Sequence, residues 1–304
     1  MLRWRLAAAA IIVVPLIGLL VADFYWNHGG PGIWIAPLGL IIGLMAAAEV
    51  LEMLATSNHR PLAWTVYLGV ALIFAAACAP MAWGLAGSVY PPNCPLGRLG
   101  LPLAATAFSL MMAFVGEMRR YEQPGGVMVN LALSVFAIVY VGVSLAFAAL
   151  LRQLHTNEWG MAALVSVVFV VKISDTGAYF VGKACGRRKL SPRISPGKTF
   201  EGGLGGILAA VAGSWLFFRY LVPPLVGPAM VTPTWWGVTI YGVVLAIFGL
   251  VGDLSESLMK RDVARKDSSS WLPGLGGVLD IMDSLFFAMP AAYVCWAAGI
   301  VGPK

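Results

Sequence analysis

Runs of about 20 apolar residues, the length a helix needs to cross a lipid bilayer, recur along most of this chain. Nine stretches reach or approach that length: Leu6–Val21, Ile33–Val50, Trp64–Ala86, Leu99–Val115, Val127–Leu151, Trp159–Ile173, Gly203–Tyr220, Trp235–Val251 and Leu285–Val301. Inside a bilayer every backbone N–H and C=O must find its partner within the protein, so only helices and closed barrels can span. No period-two alternation of the barrel kind is present, which leaves helices. Composition agrees: 60% of the 304 residues are apolar and 11% are charged. A soluble domain is about 45–50% apolar and about 25% charged. A soluble enzyme, a disordered chain and a fibrous repeat are thereby excluded. The expected fold is all-α and polytopic, with about nine transmembrane helices. Trp4, Tyr25, Trp26, Trp34, Trp64, Trp159, Trp235 and Trp236 sit at span ends, where amphipathic rings favour the headgroup level.

Arg3 and Arg5 ahead of the first apolar run would suit a secretory signal, but Val21-Ala22-Asp23-Phe24 is a poor cleavage site, so a retained helix is expected. With the N-terminus cytoplasmic, 16 of the 20 basic residues fall on the cytoplasmic side, and only Arg98, Arg152, Arg219 and Lys304 fall outside. The positive-inside rule then predicts a cytoplasmic N-terminus and an outer C-terminus. The charges are also uneven along the chain. Residues 172–284 hold 12 of the 20 basic and 8 of the 14 acidic residues. Residues 1–171 therefore read as motif-poor transmembrane helices, and 172–304 as a catalytic membrane region with its site on the cytoplasmic face. No transporter-type internal repeat is visible.

The net charge of +6 does not point to nucleic acid, because these charges lie between membrane spans. Cys78, Cys94, Cys185 and Cys295 are far apart and form neither a zinc ribbon nor a disulfide framework. His28, His59 and His155 all lie outside the charged region, which disfavours histidine acid–base or metal chemistry there. The G-x-S-x-G and H-E-x-x-H hydrolase signatures are absent.

Three charged clusters remain. The first, Lys172-Ile-Ser-Asp175, closes an apolar run, and ionisable groups at membrane depth tend to line a pathway or site. A snorkelling lysine beside a helix-terminal aspartate is the plainer reading. The second runs from Arg187-Arg188-Lys189 to Ser195-Pro-Gly-Lys198-Thr199-Phe-Glu201. A Walker A loop would need glycine where Pro192 stands, so this is not a P-loop. A Pro-Gly turn, a lysine, a hydroxyl and free N–H groups at a helix start still suit a phosphate. A basic loop on anionic lipid headgroups is the alternative. The third contains Asp253, Ser257, Lys260, Arg261, Lys266, Asp267, Asp280 and Asp283. A spacing of three puts Asp280 and Asp283 on one helix face. Three carboxylates gathered at a membrane surface need a cation, and oxygen ligands without histidine favour magnesium over zinc.

These blocks resemble the phosphatidate cytidylyltransferase, or CDP-diacylglycerol synthase, family. Its approximate signature, S-x-x-K-R-x-x-x-x-K-D followed by P-G-H-G-G-x-x-D-R-x-D, is matched first by Ser257, Lys260, Arg261, Lys266 and Asp267. Its second part is matched by Pro273, Gly274, Gly276, Gly277, Asp280 and Asp283. The family's usual histidine is Leu275 here and its usual arginine is Ile281, and neither change removes a carboxylate.

The resemblance implies that CTP and phosphatidate are joined into CDP-diacylglycerol and diphosphate, in phospholipid biosynthesis at the cell's inner membrane. It implies Asp253, Asp280 and Asp283 on magnesium, with room for a second cation. Asp175, Ser195, Lys198 and Thr199 would bind substrate, with Lys198, Ser195 and Thr199 on the triphosphate. Lys260, Arg261, Lys266 and Asp267 would serve the reacting phosphates. A homodimer in the lipid bilayer is implied too. A CTP-dependent polyprenol kinase, an ether-lipid cytidylyltransferase and an inactive relative stay open. So does a cation channel or transporter, although its charges should lie on both sides of the membrane.

Overall fold

Apolar runs of the required length do become helices. The computed structural model describes residues 2–56, 60–91, 93–227, 231–269, 271 and 276–303. His59, Pro273, Gly274 and Leu275 lie outside the described residues. The helices are α1 (Leu2–Tyr25), α2 (Ala36–Thr56), α3 (Ala63–Cys78), the short α4 (Met81–Leu85), α5 (Gly97–Arg120) and α6 (Val127–Arg152). Then follow α7 (Asn157–Cys185), the strands β1 (Lys189–Ser191) and β2 (Ser195–Thr199), α8 (Phe200–Val226), α9 (Trp235–Asp262) and α10 (Val278–Ala297).

The fold class is all-α, with one antiparallel two-stranded hairpin among the described residues. Helices α2, α5, α6, α7, α8, α9 and α10 are long and apolar enough to cross a membrane, and the chain is a multi-pass membrane protein. Two shorter apolar helices, Val13–Tyr25 and Ala63–Cys78, fall on two more of the nine expected stretches.

The chain divides into two compact units. The first comprises Met1–Leu150 with Asp262–Ile281, and the second Leu151–Arg261 with Met282–Lys304. This division by compactness differs from the division by motif content at residue 171, because the segment after α9 folds with the first unit.

In the first unit α3 packs against α2 and α5 and against a π-helical turn, Ile138–Val143, within α6. Small residues let these helices approach without a strong hydrophobic drive, as is usual in lipid. Gly69 lies against Ile138, and Gly43 against Leu145 and Val70. Ala46, Ala47, Val66, Val70 and Ile73 are fully buried there.

In the second unit α7 and α8 pack along their length through glycine and alanine. Gly206 faces Ala178, Gly205 faces Val181 and Gly177 faces Ala209. Thr156 caps α7 by accepting from the Trp159 N–H, with Glu158 in the first turn. At that end of the unit sits an aromatic core of Trp159, Phe217, Phe218, Tyr241 and Trp296. Phe218 lies 5.7 Å from Trp296 and 5.8 Å from Tyr241 between ring centroids. The buried Tyr241 hydroxyl is 2.6 Å from Ser166 Oγ and accepts from Trp296 Nε1 at 3.3 Å. Twelve residues further along α9, about 18 Å at a helical rise of about 1.5 Å per residue, comes Asp253 and the polar end of the unit.

Candidate active site

The polar end of the second unit is built from the C-terminal half of α7, the β-hairpin, the first turns of α8 and the middle of α9. Together they enclose a cavity of about 500 Å³ whose lining includes Asp175, Tyr179, Lys183, Ser195, Lys198, Thr199 and Asp253. Four residues read from the sequence as substrate-binding, and one read as metal-binding, are thus brought to one place. Glycine and apolar residues complete the lining, Gly202, Gly203, Gly206, Ala246 and Leu250 among them.

The hairpin supplies Lys198 because a second carboxylate ties the strand ends. Glu201, in the first turn of α8, accepts from the backbone N–H groups of Arg187 (3.0 Å) and Arg188 (3.2 Å). Phe200 N–H donates to the Arg188 carbonyl, which closes the loop. Thr199 is the N-cap of α8: its hydroxyl accepts from Gly202 N–H at 3.1 Å. Its role is therefore at least partly structural, since capping at this position stabilises a helix by about 1 kcal/mol. Arg261 reaches back from α9, its Nε donating to the Ile194 carbonyl at 3.2 Å, and fastens the hairpin's turn from the other side.

Charge at this end is shared among few partners. Lys198 Nζ lies 2.7 Å from Asp253 Oδ2, with side chains 20% and 32% exposed. Lys172 Nζ is 3.5 Å from Asp175 Oδ2. Ser257 Oγ stands 3.5 Å from the other oxygen of Asp253. Gly252 packs directly on the Asp283 carbonyl, and Gly249 faces Ser284, so α9 and α10 touch where these carboxylates lie. Asp283 consequently interacts electrostatically with Asp253, Asp175 and Lys172. Three carboxylates, Asp175, Asp253 and Asp283, are within range of each other, offset by Lys172 and Lys198. Among the described residues no three His, Cys, Asp or Glu side chains are drawn tightly enough to cage a metal ion.

The basic residues expected to serve the reacting phosphates are distributed differently. Lys260 is buried and ion-paired with the fully buried Glu256, one turn before it on α9. Lys266 and Asp267 are exposed and belong, with Asp280, to the first unit. There Asp280 Oδ2 accepts from Ser268 N (3.0 Å), Ser268 Oγ (2.7 Å) and Gly277 N (2.7 Å). The Gly277 bond is the reach-back of an acidic third residue to the start of its own helix.

Sequence reasoning passed over Glu201, Glu256 and Glu49. Their signal was present as acids inside or beside long apolar runs, where a charge is costly and needs a partner.

A sequence profile described as the cytidylyltransferase family matches residues 5–298. A Haemophilus influenzae protein named phosphatidate cytidylyltransferase is 42% identical over 136 residues, 45% of this chain and 46% of the relative. A Bacillus subtilis protein of the same name is 40% identical over 159 residues, 52% of this chain and 55% of the relative. These alignments span about half the length of those relatives. A Chlamydia pneumoniae protein, also so named, is 30% identical over 263 residues, covering 83% of this chain and 79% of the relative. With its profile match running almost end to end, the chain belongs to the cytidylyltransferase family.

Proposed function

We propose that this protein transfers the cytidylyl group of CTP to phosphatidate at the cytoplasmic face of the inner membrane, forming CDP-diacylglycerol and diphosphate. A phosphate-monoester oxygen of phosphatidate attacks the α-phosphorus of CTP. The bond from that phosphorus to the β-phosphate bridging oxygen breaks, and diphosphate departs with the electron pair. A monoester with a second pKa of about 6 is already mostly dianionic at neutral pH. It needs positioning and charge neutralisation more than a general base.

The observation that carries this reading is the cavity lined by Asp175, Ser195, Lys198, Thr199 and Asp253 at the end of otherwise apolar helices. A lipid phosphate and a soluble triphosphate can each reach such a place from its own phase. Lys198 and Ser195 hold the triphosphate, with the Thr199-capped start of α8 offering further N–H groups. Arg261 and Lys266 clamp phosphatidate or the departing diphosphate. Lys260 contributes less, because its pair with Glu256 is net neutral. Asp175 and Asp267 orient the groups around them.

The donor set near the cavity is all oxygen and suits magnesium. Asp253 and Asp283 would hold it, and Asp280 and a second cation join by the resemblance alone. When bound, the ion would supply charge neutralisation between the two polyanions. Lys198 then exchanges Asp253 for phosphate oxygens. The resemblance also implies a homodimer.

The test is lipid labelling by purified protein with phosphatidate and magnesium, using CTP labelled at the α- or the γ-phosphate, beside an Asp283→Asn variant. Lipid that takes up only the α-label, and only with Asp283 intact, is the expected result. Transfer of the γ-label would make the enzyme a lipid kinase. No transfer by protein that binds CTP would indicate another acceptor or an inactive relative with Leu275 as the first suspect.

A further inference from the structure

The first unit contains a carboxylate that no reading of the motifs employs. Glu49, in the second half of α2, is 2% exposed and lies in an apolar helix. Its Oε1 accepts from Val278 N–H at 2.8 Å and from Ser269 Oγ at 3.0 Å. Its Oε2 accepts from Leu279 N–H at 2.9 Å and from Ser268 Oγ at 2.8 Å. Val278 and Leu279 are the first two residues of α10, and the preceding residue is glycine, which has no side chain to cap with. Glu49 therefore performs the N-cap's task from another helix, some 230 residues earlier in the chain. A side chain at Gly277 would collide with Ser268 Oγ and the Glu49 carboxylate, so the glycine makes room for this contact. One turn along α2, Glu52 pairs with Arg265 at 2.9 Å and holds the same segment at a second point.

We infer that Glu49 is a positioning residue: it fixes the segment bearing Lys266, Asp267 and Asp280 and the start of the helix that carries Asp283. This rests on the cytidylyl-transfer reading for its functional consequence, though not for its structural one. A glutamine at this position keeps the volume but has one acceptor oxygen. Serine hydroxyls can rotate to accept from its amide, whereas a backbone N–H cannot. One N–H of the first turn of α10 loses its acceptor, and the segment shifts.

The experiment compares full-length wild type, Glu49→Gln and a Ser268→Ala/Ser269→Ala double variant by steady-state kinetics and peptide-resolved hydrogen exchange. The expected result for Glu49→Gln is a kcat lower by about 10–100-fold, as for partners that orient active-site ligands, with KM for CTP changed less than about two-fold. Exchange should rise in 266–282 and stay unchanged in 187–203. The serine variant should show the same pattern more weakly, and serves alone if Glu49→Gln does not fold. Wild-type kcat in both variants, or faster exchange spread evenly over the protein, would overturn the inference. If wild type itself transfers no cytidylyl group, the functional reading fails while the exchange pattern still decides the role of Glu49.

Discussion

Asp253 and Glu49 are carboxylates set in membrane-spanning helices, and the protein handles them in opposite ways. Asp253 is part exposed in the lining of a cavity and pairs with Lys198. Glu49 is sealed from solvent and surrounded by four neutral donors, two of them backbone N–H groups. A single ion pair leaves Asp253 with partners that a phosphate or metal can replace. Four short bonds from a folded segment are not exchangeable without moving the segment. The difference separates the proposed ligand site from a site that holds the protein's own chain in shape.

Substitutions on the two sides should diverge in what they damage. The largest effect is expected from Asp253→Asn, which should lower cytidylyl transfer by about 10²–10³-fold, the scale of losing one electrostatic contact to a transition state. Its unfolding temperature should stay near wild type. Activity within ten-fold of wild type would erase the distinction drawn here.

Next comes Gly277→Ala, on the closed side. Its added carbon meets the Glu49 carboxylate and Ser268 Oγ, so thermal unfolding in detergent should report a loss of about 1–3 kcal/mol, as for overpacked sites. An unchanged melting curve would mean that the Glu49 contacts yield more easily than their number implies.

Tyr241→Phe probes the aromatic end of the second unit. It should remove about 1 kcal/mol of stability with its hydrogen bonds to Ser166 and Trp296, and leave transfer within two-fold. A large loss of activity would show that the two ends of α9 are coupled. The smallest effect belongs to Arg265→Gln, whose pair with Glu52 is partly exposed and worth less than about 1 kcal/mol. Any such effect should shrink further at high salt.

The site was legible in proportion to how badly its residues suit a membrane. Asp175 and Asp253 stand out because each ends an apolar run, Lys198 because it follows a Pro-Gly turn at a helix start, and the cavity gathers all three. Thr199 was visible as a candidate phosphate ligand, but its oxygen already serves as a helix cap, a function that depends on where the helix starts. Lys260 looked like a free cation until folding set it against Glu256, although the spacing of four between them was there to read. What Glu201 binds was hidden, although the acid itself was visible, because its partners, the N–H groups of Arg187 and Arg188, carry no side-chain signature at all.

By itself the sequence determined that this chain lives in a membrane as helices, because the length of an apolar run and the lack of charge are local properties. It also determined where the charged residues gather, because polar residues are too costly in lipid to be scattered without use. Which carboxylate would line the cavity and which would hold a loop was decided only by the tertiary structure. Glu49 and Ser268 are 219 residues apart and meet because α2 and the segment before α10 fold into one unit. A hydrogen bond requires its two atoms within about 3 Å, and separations of that kind are set by packing rather than by neighbouring residues in the chain.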